Sequence, residues 1–228
     1  MATRWCPMTP RRTRVKICGI TRIEDCLAAA EAGADAIGLV FWHGTPRRVE
    51  AHAAALIAAA LPPFVSAVGL FVDPTEVEVR AVMAQVPLAA LQFHGDEAPD
   101  FCRRFGLPYV KAIPVHFGAT SADLLEWAAR YDDAAGWLFD APPAAGLPGG
   151  TGECFDWSAL PAVTPRPLVL SGGLHAGNVA AALRRVHPWA VDVSSGVEAV
   201  GQDGKPLKGI KDPSRIAAFI QEVRNADG

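Results

Sequence analysis

The chain has 228 residues and a formal net charge of −3, with half of its residues apolar and one fifth charged. This is the profile of an ordinary soluble globular protein, long enough to bury a large core without disulfides or a structural metal. No apolar run approaches the roughly 20 residues a bilayer-spanning helix needs, so no membrane partner is expected. The mild acidity argues against nucleic acid as the main partner.

In chain order, residues 1–13 come first, rich in arginine and without the apolar stretch of a secretory signal. They are expected to form a flexible N-terminal extension, followed by one domain over residues 14–228. Five cysteines (Cys6, Cys18, Cys26, Cys102 and Cys154) include no Cys-x-x-Cys pair. Neither a disulfide framework nor a zinc site is suggested, and a reducing, cytoplasmic setting is expected.

From residue 14 onward two textures alternate. Short runs rich in Val, Ile, Leu and Phe read as buried parallel strands, and Ala-rich amphipathic stretches read as helices. Strands are predicted over 14–18, 36–41, 65–71, 90–94, 109–113, 137–140, 167–171 and 190–194. Helices are predicted over about 22–32, 50–60, 75–85, 97–105, 121–130, 156–160, 176–186 and 213–224. Thr21 with Glu24 has the form of a capping box. Asp73-Pro74 and Asp212-Pro213 place a cap residue before a proline. Gly33 is positioned to end the first helix in the left-handed conformation.

Eight βα units in a row predict a single α/β domain of the (β/α)8 TIM-barrel class. The rival, an open doubly wound sheet, would usually carry a glycine-rich fingerprint after its first strand. Here that strand ends Cys18-Gly19-Ile20-Thr21.

In such barrels chemistry sits on the loops beyond the strand C-termini. Cys18 stands there with two readings, a buried structural thiol or a general base. As a base it must be a thiolate, which nearby positive charge favours. Lys16, two residues earlier, shares its face of the strand. In a closed barrel Lys16 can pair with Asp192 on the neighbouring last strand, which a buried charge requires. Asp140, at the end of the sixth strand, is either a capping group or an acid facing Cys18 across the mouth. An acid opposite a base suits coupled proton transfers. Gly172, Gly173, Ser194, Ser195 and Gly196 follow the last two strands, where these barrels commonly bind phosphate through backbone N–H groups. Arg47 is either a solvated surface charge or a bidentate carboxylate binder. His94 is either a packing histidine or a substrate contact. The residues point to proton-transfer chemistry on a phosphorylated small molecule that also carries a carboxylate.

The segment Val15-Lys16-Ile17-Cys18-Gly19-Ile20-Thr21 resembles the first strand of phosphoribosylanthranilate isomerases. The likeness continues through Gly33–Gly38, Thr45-Pro46-Arg47, Val68–Val72 and Leu91–Glu97. It runs on through Gly149-Gly150-Thr151-Gly152, Phe155-Asp156-Trp157, Leu170–Leu174 and Val191–Glu198. The resemblance implies a cofactor-free Amadori rearrangement in tryptophan biosynthesis, from N-(5-phosphoribosyl)anthranilate to 1-(2-carboxyphenylamino)-1-deoxyribulose 5-phosphate. It implies Asp140 as general acid on the ribose ring oxygen and Cys18 as base at C2′. Arg47 would hold the anthranilate carboxylate, and the serine and glycine motifs would hold the phosphate. A monomer or a homodimer is compatible with it.

The chain departs from the family pattern at Thr45, where serine is usual, and at Glu153, where lysine is usual. The segment Gly201–Lys211 is expected to be a long loop before the last helix. Other phosphate-binding barrel isomerases, of the histidine pathway or with dual substrates, typically carry aspartate where Cys18 stands. A non-catalytic sugar-phosphate-binding barrel is disfavoured by the presence of both Cys18 and Asp140.

Overall fold

The structure is a computed structural model and describes residues 12–141 and 155–227. Eight parallel strands close into a barrel in sequence order: β1 (Arg14–Cys18), β2 (Ala36–Val40), β3 (Ser66–Phe71), β4 (Ala90–Phe93), β5 (Tyr109–Pro114), β6 (Gly136–Asp140), β7 (Leu168–Leu170) and β8 (Ala190–Val193). β8 pairs back onto β1, with Lys16 opposite Asp192. The register between β1 and β2 sets Cys18 against Gly38.

Around the barrel run α1 (Ile23–Ala32), α2 (Ala51–Ala59), α3 (Glu76–Met83), α4 (Pro99–Cys102), α5 (Ser121–Ala129), α6 (Val179–Val186) and α7 (Pro213–Asp227). The strands are nearly continuous apolar runs because the lumen covers one face and the helices the other. Ile17, Ile37, Leu39, Phe93, Phe139, Leu170 and Val191 are buried in one cluster together with Val179, Ile216 and Phe219 of the helices. Phe93 lies within 5.8–6.3 Å of the rings of Phe71, Phe101, Phe105 and Tyr109, tying β3 to β5 onto the α4 side.

Several sequence expectations change here. Thr21 does not cap α1: Arg22 takes the cap position, and the Thr21 hydroxyl donates instead to the Gly209 carbonyl. A tertiary acceptor has won over the local capping box. The real box lies one residue beyond Asp73-Pro74, where Thr75 and Glu78 bond reciprocally. Asp73 accepts from the Asp96 N–H on the next loop. The helix expected over 97–105 shortens to α4 and a 3-10 turn, Arg103–Phe105. Glu97 is withdrawn from it to bind Lys111. The sixth helix, expected over 156–160, is a single 3-10 turn, Trp157–Ala159, capped by Asp156. Gly33 does end α1, with φ +96°, and Asp212 does accept from the N–H groups of Ser214 and Arg215.

The expected loop over Gly201–Lys211 is an antiparallel hairpin, β9 (Glu198–Val200) and β10 (Pro206–Lys211). Asp203-Gly204 makes its turn, with Gly204 at φ +78° and the Asp203 carboxylate accepting from the Lys205 N–H. An Asp-Gly pair between short runs was the available signal.

Of the expected N-terminal extension, residues 1–11 lie outside the described residues. Arg12 and Thr13 are tied down. Arg12 pairs with Asp35, and buried Thr13 bonds Asp227 of α7 through both its N–H and its hydroxyl. The Gly149–Gly152 motif, Glu153, Cys6 and Cys154 also lie outside the described residues. The described cysteines, Cys18, Cys26 and Cys102, are free thiols. Among the described residues no helix is long and apolar enough to cross a membrane.

Candidate active site

A cavity opens at the C-terminal mouth of the barrel. Its lining includes Cys18, Arg47, His94, Asp140, Gly172, Gly173, Ser194 and Ser195. The expected site residues therefore converge on one space, with Gly196 as the exception. Gly196 lines an adjoining cleft with Gly173, Ser195 and Arg215.

Cys18 ends β1 beneath this cavity and is 6% exposed. Below it, the Lys16 ammonium donates to both oxygens of Asp192, at 2.8 and 2.9 Å. Burial opposes the Lys16 charge, but Asp192 and the Cys18 sulfur outweigh it and hold the lysine above its ordinary range. For Cys18 burial is the largest influence and pushes the thiol up. Lys16 and Lys211 pull it down, Asp192 pushes it further up, and the net result is a thiol above its ordinary range. The expectation that Lys16 favours the thiolate holds for its own contribution but not for the sum. Asp192 already neutralises that lysine, and a low-dielectric pocket penalises any further charge.

Gly38 makes this packing possible. A Cβ there would stand 2.8 Å from the Cys18 sulfur and 3.0 Å from the Lys16 nitrogen. Any side chain would displace one of them.

Across the mouth, Asp140 ends β6. One oxygen accepts from the Ala141 N–H at 2.9 Å, and the other lies 3.0 Å from His94 Nε2. His94 Nδ1 in turn lies 3.1 Å from the side-chain amide of Gln92, which is 1% exposed. Gln92, His94 and Asp140 thus form a chain from the barrel interior to the cavity. Gln92 was missed by sequence reasoning. Its signal was a polar residue two positions before His94, on the same face of a buried strand.

Arg47 is buried rather than solvated. Its Nε donates to Glu198 Oε1 at 2.7 Å and its Nη2 to Oε2 at 3.0 Å. Glu198, at the start of β9, also accepts from the Gly209 N–H at 2.9 Å and lies 3.4 Å from Lys211 Nζ. Burial opposes the Glu198 charge, but Arg47 and Lys211 outweigh it and hold the carboxyl below its usual range. Lys211 is fully buried at the end of β10 and donates to the Ser194 carbonyl at 3.0 Å. Burial is the main influence on it; Glu198 resists and Arg47 adds, leaving this lysine lowered to about 8. Glu198 and Lys211 were also not singled out from the sequence. Both depend on the hairpin, which brings residues 13 apart in sequence onto Arg47.

The loop after β7 carries glycines in conformations suited to close approach. Gly172 and Gly173 have φ of +84° and +63°, and Asn178 holds the loop through the Gly173 carbonyl. Ser194 and Ser195 lead into a 3-10 turn, Ser195–Val197.

The chain matches the family model of N-(5′-phosphoribosyl)anthranilate isomerase over residues 15–222. The chain belongs to this isomerase family. An N-(5′-phosphoribosyl)anthranilate isomerase from Alcanivorax borkumensis is 56% identical over 92% of this chain and 95% of its own. The crystal structure of the phosphoribosylanthranilate isomerase from Thermotoga maritima is similar, with a TM-score of 0.81, 41% identity and coverage of 93% of this chain and 99% of that one. Another isomerase of the family, solved in complex with reduced 1-(o-carboxyphenylamino)-1-deoxyribulose 5-phosphate, has a TM-score of 0.76 and 38% identity, with coverage of 93% and 99%.

Proposed function

We propose that this barrel mouth converts N-(5-phosphoribosyl)anthranilate to 1-(2-carboxyphenylamino)-1-deoxyribulose 5-phosphate, with Asp140 as general acid and Cys18 as general base. The observation that carries the reading is that Cys18 and Asp140 line the same cavity as Arg47 and the loops after β7 and β8.

Asp140 gives a proton to the ribose ring oxygen. The ring C–O bond breaks, the ring oxygen becomes a hydroxyl, and the anthranilate nitrogen forms a Schiff base with C1′. The Cys18 thiolate then removes the C2′ proton, leaving an enolamine. Tautomerisation returns a proton to C1′ and releases one from the C2′ hydroxyl, giving the ketone. The two protons delivered equal the two removed, so no redox partner is needed, and no metal or organic cofactor is assigned a step.

His94, bonded to Asp140, orients the acid and contacts the substrate beside it. Gly172, Gly173, Ser194, Ser195 and Gly196 receive the phosphate through backbone N–H groups, because glycine lets an anion approach the main chain closely. Arg47 receives the anthranilate carboxylate. Free thiols at three described positions fit a reducing cytoplasm.

The decisive measurement is loss of phosphoribosylanthranilate fluorescence with purified protein. Cys18→Ser and Asp140→Asn are each expected to lower kcat by about 10²–10⁴, the range for a positioned acid or base. Retention of full activity by either variant overturns its role, and absence of turnover in the unmodified protein overturns the function.

A further inference from the structure

Arg47 does not meet a carboxylate with its whole fork. Glu198 occupies its Nε and Nη2 donors, the pairing that makes one bidentate face of a guanidinium. Glu198 is itself a buried anion beside the place where a second carboxylate must settle. Lys211 offsets part of that charge but is fully buried and bonded to Ser194 and Glu198. A carboxylated ring entering here therefore gains from any further cation at the rim.

The hairpin supplies one. β10 lies against the loop that carries Arg47, and Gly209, with φ +85°, makes the contact. A Cβ at Gly209 would come 3.0 Å from the Pro46 carbonyl and 3.6 Å from the Arg47 Cα. Lys208, the preceding residue, is exposed and lines the cavity with Thr45, Pro46 and Arg47. No acidic group among the described residues pairs with it. The other exposed lysine of the hairpin, Lys205, sits 4.0 Å from Asp203 at the turn.

We infer that Lys208 is a specificity-determining residue, a rim cation that the hairpin β9–β10 adds beside Arg47 to recognise the carboxylate of the substrate. The inference rests on the reading of Arg47 as the carboxylate binder. The anion could also be the substrate's phosphate, and the test separates the two.

Steady-state kinetics with phosphoribosylanthranilate and with its carboxylate-free analogue, phosphoribosylaniline, are compared for the unmodified protein, Lys208→Gln, Lys208→Arg and Lys205→Gln. Affinity for the reduced product analogue is measured alongside by calorimetry. Lys208→Gln is expected to raise KM and the analogue Kd about fivefold, the upper size of an exposed ion pair. Its kcat should stay within about twofold, since a pair equally strong in ground and transition states affects binding alone. Lys208→Arg should restore binding, phosphoribosylaniline should show no loss, and Lys205→Gln should match the unmodified protein. An equal loss with phosphoribosylaniline assigns Lys208 to the phosphate and overturns the inference. An unchanged KM also overturns it. Failure of the unmodified protein to turn over the substrate would instead overturn the underlying functional reading.

Discussion

Lys16–Asp192 and Lys111–Glu97 are both buried lysine–carboxylate pairs, and they lie on opposite faces of the same barrel wall. Lys111 points out of the barrel, 5.7 Å from the centre of the Trp127 ring and 5.4 Å from that of Tyr131. Its ammonium reaches Glu97 at 2.9 Å and the carbonyls of Phe93 and Gly95. Glu97 also accepts from the N–H groups of Asp73 and Gly95. Every charge there is consumed in fastening the loops after β3 and β4. Lys16 points into the lumen, where Asp192 takes its ammonium and the Cys18 thiol shares its field. A buried ion pair is structural when its partners exhaust it, and chemically useful when a third group is left within reach.

Removing one member of each pair sharpens that contrast. A large loss of stability is expected from Lys111→Met, which leaves the Glu97 carboxylate in the helix layer without its cation. Breaking a buried pair in this way costs about 3–5 kcal/mol. Denaturant unfolding measures it, and kcat of the remaining folded protein should stay near normal. A stability change below about 1 kcal/mol would dissolve the comparison.

Lys16→Met breaks a buried pair as well and should cost stability in the same way, but it should also act on chemistry. The lysine pulls the Cys18 thiol down while burial pushes it up. Without the lysine the thiol rises further, and less thiolate is present at any pH below it. Activity that needs the thiolate should fall about tenfold at neutral pH for each unit of that rise. The rise of kcat/KM with pH should move to higher pH, together with the thiolate absorbance. A pH profile identical to that of the unmodified protein would remove Lys16 from the mechanism.

The smallest effect belongs to the exposed pair Arg12–Asp35. Asp35 is held below its ordinary range by Arg12 and the Val15 N–H acting against its partial burial. The Arg12→Ala protein should lose no more than about 1 kcal/mol, because water and salt screen an exposed pair. Thermal unfolding at low and high salt checks this, with the difference from the unmodified protein shrinking as salt rises.

Much of the site was legible before the fold. The buried strands announced themselves as apolar runs, and the polar residues interrupting their ends, Cys18, His94 and Asp140, had to face the mouth of whatever barrel the strands closed. The Lys16–Asp192 pair followed from closure alone, since the first and last strands become neighbours. Local rules failed where a distant partner offered a better bond. Thr21 left its capping role for the Gly209 carbonyl, and Glu97 left the fourth helix for Lys111. Arg47 was identified, but its engagement by Glu198 was not, because that contact spans 151 residues in sequence.

The sequence by itself determined the alternation of strands and helices, the eight strands of the barrel, and the reactive groups at their ends. These follow from hydrophobic period and side-chain chemistry, which are local properties. Only the tertiary structure decided which charges reach one another. The fold folded residues 198–211 back over Arg47, raised the Cys18 thiol by burial, and linked Gln92 through His94 to Asp140. Charge, hydrogen bonding and desolvation depend on distance in space, and a linear chain does not carry that distance until the barrel closes.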